Sequence, residues 1–286
     1  MIIENNFLRV TCKPEGAELT SIFHKQHDLE YLWQAGIAWM KHAPVLFPIV
    51  GELKNKRYFY NDNEYKMERH GFARNMVFMI HEQSDEHITY RLVADENTQQ
   101  AYPILFTFDI KYSIDKETLA VDYIIHNPDK KDLLFSVGAH PAFKIPLTDR
   151  EAYDDYYLEF EREETANRWL LQNGLIDKAA ESFFNKTKTL PLQKKLFYDD
   201  ALVFKNLAST VISIKNKNNA HGLHFRFEGF PYFGIWAAKD ADFVCLEPWH
   251  GIADSVNSDE QLENKEGIIR LATDKTFKCR YSISCF

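Results

Sequence analysis

At 286 residues and 33.6 kDa, with 45 % hydrophobic residues, the chain can bury a sizeable core, and its composition argues against long disordered spans. A net charge of −8 and a pI near 5.8 argue against the basic surface that non-specific nucleic-acid binding requires. No apolar run approaches the length of a membrane span, and the opening Met-Ile-Ile-Glu-Asn-Asn lacks the basic and apolar regions of a signal peptide, so the expected compartment is the cytoplasm.

Aromatics make up 14 %, with 22 Phe and 14 Tyr, which suits pleated, half-buried surfaces and points to a β-rich protein. Alternation begins at Leu8, Val10 and Cys12, with Arg9 and Thr11 between them. Pro14-Glu15-Gly16 turns the chain into a second strand over 17–23, and 29–33 reads as a third. The apolar run 45–51 is broken by Pro48 and reads as a buried loop or strand end. Residues 57–60 and 64–68 flank Asn61-Asp62-Asn63, a hairpin whose second arm runs into Arg69-His70-Gly71-Phe72-Ala73-Arg74.

Four strands follow, over 77–82, 88–94, 106–112 and 119–126, a meander of antiparallel hairpins rather than βαβ units. Asn127-Pro128-Asp129 turns the last into 133–137, a buried strand that stops at Gly138-Ala139-His140-Pro141. The stretch 148–202 is less regular: Asn173-Gly174 marks a hairpin, while 190–197 stays open between a short helix and an extended loop. Strands resume after 210, alternating over 223–227 and 277–283, with apolar runs at 233–237 and 243–247. No linker, composition shift or fixed-period repeat divides the chain. The expectation is one all-β domain over 1–286, a large antiparallel β-sandwich with its strands in two facing sheets.

Eleven histidines invite a metal, yet the spacing disfavours one. His221 and His224 fall on opposite faces of a strand, and Pro248 and Gly251 oppose the helix on which Glu247 and His250 would pair. There is no His-Glu-x-x-His, no paired CxxC, no glycine-rich phosphate loop and no Gly-x-Ser-x-Gly elbow. Cys12, Cys245, Cys279 and Cys285 read as reduced structural thiols. Neither metal nor organic cofactor is expected.

Three segments remain that each end a strand on a titratable group, at His70, His140 and Glu247, and a fourth, Asp199-Asp200, precedes an apolar strand. Each has a bland counterpart, a histidine that satisfies buried carbonyls or an aspartate that forms a turn. Glu247 is the hardest to explain so, because a carboxylate ending an apolar strand is costly unless it serves something.

In this order and spacing, Phe47-Pro48-Ile49-Val50-Gly51, His70-Gly71-Phe72-Ala73-Arg74, His140-Pro141-Ala142-Phe143 and Glu247-Pro248-Trp249 resemble the aldose 1-epimerase (galactose mutarotase) family, most closely its LacX-like branch. The resemblance spans essentially the whole chain and implies a β-sandwich of the galactose mutarotase-like type with a sugar in a cleft on one sheet. It implies Glu247 as the general base at the C1 hydroxyl, His140 as the general acid at the ring oxygen, and His70 as a second histidine near that oxygen. Asp200, or Asp199 beside it, is implied as a ligand of sugar hydroxyls. Relatives often carry a basic residue where this chain has Glu52, so Arg57 or Arg74 is expected to supply that contact, with Trp249, Trp236 or Phe72 stacking on the sugar.

The expected activity is interconversion of the α and β anomers of a hexose by acid–base ring opening and reclosure. A small sugar is the expected partner, and a monomer or homodimer the expected state. Alternatives are mutarotation of a hexose 6-phosphate held by Arg74 and Arg57, a non-catalytic sugar-binding sandwich, and a glycoside hydrolase pairing Asp200 with Glu247.

Overall fold

A computed structural model describes residues 1–286. Alternating sequence becomes alternating burial. In Leu8–Cys12 every second side chain is buried, and Thr107–Asp115 and Thr118–His126 pair over nine residues with Phe108, Ile110, Tyr112, Val121, Tyr123 and Ile125 all inside. Helix is scarce. Glu96–Ala101 is capped by Asp95, whose side chain accepts the Thr98 N–H at 2.8 Å while Thr98 Oγ1 accepts the Asp95 N–H at 2.9 Å.

Fifteen strands form one continuous antiparallel sheet, flanked by a four-stranded sheet built from Ile2–Glu4, Leu8–Cys12, Leu19–His24 and Leu29–Glu30. The large sheet folds back over itself. Phe47, beside the edge strand Val45–Leu46, packs 4.8 Å from Phe108, whose strand lies close to the opposite edge. The two facing layers expected from the sequence therefore belong to one hydrogen-bonded ladder.

The junction is the 17-residue strand Tyr156–Gln172. Its first residues pair with Val211–Asn216, whereas Trp169 pairs with Val203 in Leu202–Lys205. Register shifts against its hairpin partner Leu175–Pro191 bend it between the layers. Between the layers lies a core of 70 buried residues, and a second cluster of seven, including Leu46, Val203, Trp249 and Ile252, lies beneath a cleft. No helix is long and apolar enough to cross a membrane.

One rim of the cleft is braced by a buried ion pair. Lys265 Nζ donates to Asp254 Oδ1 (2.8 Å) and to the Ile252 carbonyl (2.7 Å), and Asp254 Oδ2 accepts the Lys54 N–H (3.0 Å). Removing one partner strands a buried charge, so Lys265→Met is expected to destabilise the protein by about 3–5 kcal/mol. A urea midpoint that hardly moves would show that the pair contributes little.

Candidate active site

Strand register creates the site. Phe243–His250 carries Glu247, and two short strands, Val137–Ala139 and Ala142–Lys144, pair with it on one side. Gly138 lies opposite Trp249 and Ala142 opposite Cys245. His140-Pro141 is the break between them, so His140 must fall beside Glu247. Its Nε2 lies 3.3 Å from Glu247 Oε2, and the two side chains are 9 % and 3 % exposed. On the other side, Tyr232–Trp236 sets Gly234 opposite Glu247. The Trp249 ring lies in a slot between the two glycines, where a Cβ at Gly138 or Gly234 would approach it to 2.6 or 2.5 Å. The expected end of this strand at Glu247 is corrected: pairing continues through Pro248, opposite Phe233.

His70 arrives from a turn docked on the loop after Val45–Leu46. Its own φ is 68° and that of Gly71 is 71°. A Cβ at Gly71 would lie 2.3 Å from the Phe47 carbonyl oxygen, so only glycine lets the turn seat there. The His70 N–H donates to the Gly51 carbonyl (2.9 Å), and the Gly51 N–H donates to His70 Nδ1 (3.1 Å). Nδ1 is thus an acceptor, and the neutral ring carries its proton on Nε2. The His70 and His140 rings meet edge to face at 5.7 Å. Trp39 stacks on His140 at 5.1 Å and Trp236 meets it edge-on at 5.6 Å, which confines the imidazole plane.

His70, His140 and Glu247 line a cleft of about 220 Å³ together with Asp200, Arg69, Arg74 and three tryptophans, Trp39, Trp236 and Trp249. Sites for drug-sized ligands run roughly 300–1,000 Å³, so this one suits a single small molecule. Asp200, not the exposed Asp199, lines it. Arg57 does not: Glu260 (2.6 Å) and Glu64 (3.0 Å) hold its guanidinium elsewhere. Phe72 packs into the core against Phe47, Tyr102 and Phe106 instead of facing the cleft. Arg69 and Trp39 line the cleft without having been singled out from the sequence. Adjacency to His70 was the available signal for Arg69; Trp39 sits in an irregular loop that carries none.

Burial drives the central pair toward its neutral forms. It pushes the Glu247 carboxyl up to about 8, with the Asp200 charge adding to the rise and Arg69 opposing it. It pushes His140 down to about 3, helped by the charges of Arg69 and Arg74, and it holds His70 well below the ordinary imidazole range. Near neutral pH, Glu247 and His140 together therefore hold one proton. Cys245 brings its sulfur within 4.8 Å of both groups, a donor trio of the kind that binds zinc. Burial raises this thiol well above its ordinary value, and a metal ligand must be thiolate, so the trio is a poor cation holder.

The fold is thus a large antiparallel β-sandwich of the galactose mutarotase-like type, with an imidazole–carboxylate pair at the base of its cleft. A galactose mutarotase-related enzyme from Lactobacillus acidophilus is similar at TM-score 0.95 and 33 % identity, over 100 % of this chain and 97 % of that one. A galactose mutarotase-like protein from Lactobacillus casei is similar at TM-score 0.91 and 26 % identity, over 100 % and 99 %. The chain belongs to the aldose 1-epimerase family, whose profile matches residues 1–269. The plasmid-encoded LacX protein of Lactococcus lactis subsp. lactis is 31 % identical over 293 residues, covering 99 % of this chain and 98 % of that protein.

Proposed function

We propose that the protein is an aldose 1-epimerase, interconverting the α and β anomers of an aldohexose. The 3.3 Å approach of His140 Nε2 to Glu247 Oε2 in a small open cleft carries this reading. Glu247 takes the proton of the C1 hydroxyl while His140 delivers one to the ring oxygen, and the C1–ring-oxygen bond breaks. The chain form turns about C1–C2. The ring then recloses on the other face of C1, with the two groups exchanging roles. His70 donates from Nε2 to the sugar near the ring oxygen, Asp200 accepts from hydroxyls, and the tryptophans cover the apolar face. An imidazole, rather than a second carboxylate, is the group beside Glu247, which favours this chemistry over glycoside hydrolysis.

The pair needs one proton and opens the ring from its minor tautomer, with that proton on His140 and Glu247 ionised, whose share is constant while one proton is held. Below about pH 8 it holds that proton on Glu247, and it gains a second only as the pH falls toward about 3. The expected kcat/KM for anomer exchange is flat from mildly acidic to neutral pH and falls tenfold per unit above about pH 8. Polarimetric rates across that range test it. A bell confined between the ordinary values of 4.5 for Glu and 6.5 for His would contradict the shared-proton description.

A further inference from the structure

The longest hairpin in the chain reaches across the cleft. Its strands, Tyr156–Gln172 and Leu175–Pro191, leave the large sheet after Trp169, whose ring is covered by Lys205 Nζ at 3.7 Å. At that level Glu247, Gly234, Val203 and Trp169 lie side by side in four successive strands. With strands about 4.8 Å apart, the hairpin departs roughly 14 Å from the carboxylate. Its tip then returns. The Ile176 N–H donates to the Asp254 carbonyl (2.8 Å), and the Val256 N–H donates to the Ile176 carbonyl (3.0 Å). Ile176 is 2 % exposed, in the cluster that holds Trp249 and Ile252. Gly174, at the turn, is buried, and a Cβ there would lie 3.4 Å from Glu52 Cβ and 3.7 Å from Arg69 Nη1. The tip thus meets the loop that carries Gly51 and the turn that carries His70, and Leu171, Gly174 and Ile176 line the cleft.

We infer that this tip fixes the size of the substrate: the cleft admits a free monosaccharide and rejects the same sugar carrying a second ring on C4. The inference rests on the epimerase reading, which sets the edge between the ring oxygen and C1 against the His140–Glu247 pair at the base of the cleft. In a pyranose C3 and C4 form the opposite edge, which then faces the tip. A second ring on C4 would need the space that Leu171, Gly174 and Ile176 hold. The aromatic surface agrees. Trp39 and Trp236 lie 5.6 Å apart and both meet His140, and Trp249 lies in its slot between two glycines. Stacking surface is therefore gathered at one ring position.

The wall does not yield easily. Opening it breaks two main-chain hydrogen bonds and uncovers the apolar Ile176. The Asp254 carbonyl that holds it belongs to the residue clamped by Lys265 in a buried ion pair. Extra volume on the sugar is thus converted into lost transition-state binding.

The test compares anomer exchange, read by NMR, of glucose and galactose with that of maltose, lactose and 4-O-galactosyl-galactose, which carry those sugars at their reducing ends. The kcat/KM of each disaccharide is expected to lie roughly hundredfold below that of its monosaccharide. Replacing residues 170–179 by Asn-Gly joins Trp169 to Ala180, which already face one another, through a two-residue turn. The shortened chain is expected to narrow the preference about tenfold, and so is Leu171→Ala combined with Ile176→Ala, which keeps the main chain. A wild-type preference below about threefold overturns the inference whether or not the variants fold, as does a preference that the folded variants leave intact. If no aldose exchanges at all, the epimerase reading fails separately. Binding, followed by the fluorescence of the cleft tryptophans, then decides the size limit: disaccharides that bind as well as the monosaccharides, or monosaccharides that fail to bind, overturn it.

Discussion

Glu247→Gln is expected to lower kcat for anomer exchange by roughly 10²–10⁴-fold while leaving KM almost unchanged. The amide fills the same space between Gly234 and His140 but takes no proton from the C1 hydroxyl. The same change should stabilise the fold at alkaline pH. Burial raises this carboxyl from its ordinary 4.5 to about 8, so folding takes up a proton between those values. The wild type is unpenalised below about pH 4.5 and loses stability as the pH rises through that window. The variant, having nothing to titrate there, should melt higher than the wild type at pH 9 and alike at pH 4. Such a trade of stability against activity is common where a charge is buried for chemistry. Exchange within about threefold of wild type would show that Glu247 is not the base, and a wild-type rate no faster than the uncatalysed one would make this a sugar-binding sandwich without chemistry.

His140→Asn should lower kcat by a similar 10²–10⁴-fold, and combining it with Glu247→Gln should cost little more than either change alone. The two groups work on one shared proton, so removing either disables the pair, whereas independent contributions would multiply. Its stability signature runs the opposite way in pH. Burial and the two arginines push this imidazole from 6.5 to about 3, so the unfolded chain binds the extra proton in that interval. The wild type loses stability as pH falls below about 6.5, and the asparagine variant should resist acid better. A double variant that is slower than either single variant by the product of both effects would refute the shared proton.

Some of this was legible in the residues because it depends on neighbours in the chain. Strands whose one face is buried announce themselves by alternation, as Leu8–Cys12 and Thr276–Cys285 do. The hairpin Tyr156–Gln172/Leu175–Pro191 was only half visible, since much of its length is exposed on both faces and bulges shift its register. The six-residue helix Glu96–Ala101 is too short to display a period. The cleft histidines, Glu247 and Asp200 stood out because charge or imidazole at the edge of an apolar strand is unusual. Arg57 misled for the converse reason: nothing near it in sequence reveals that Glu260, 203 positions on, takes its guanidinium.

The residues by themselves determined an all-β chain, the positions of most strands and the short motifs that carry His70, His140 and Glu247, because side-chain period and turn chemistry are local properties. Only the tertiary structure decided that the facing layers are one sheet, that His140 stands 3.3 Å from Glu247, and that Arg69 rather than Arg57 joins Arg74 in the cleft. Those outcomes depend on which strands pair and in what register. Pairing is set by burying a common core across long chain separations, and that same burial moves the protons of the central pair.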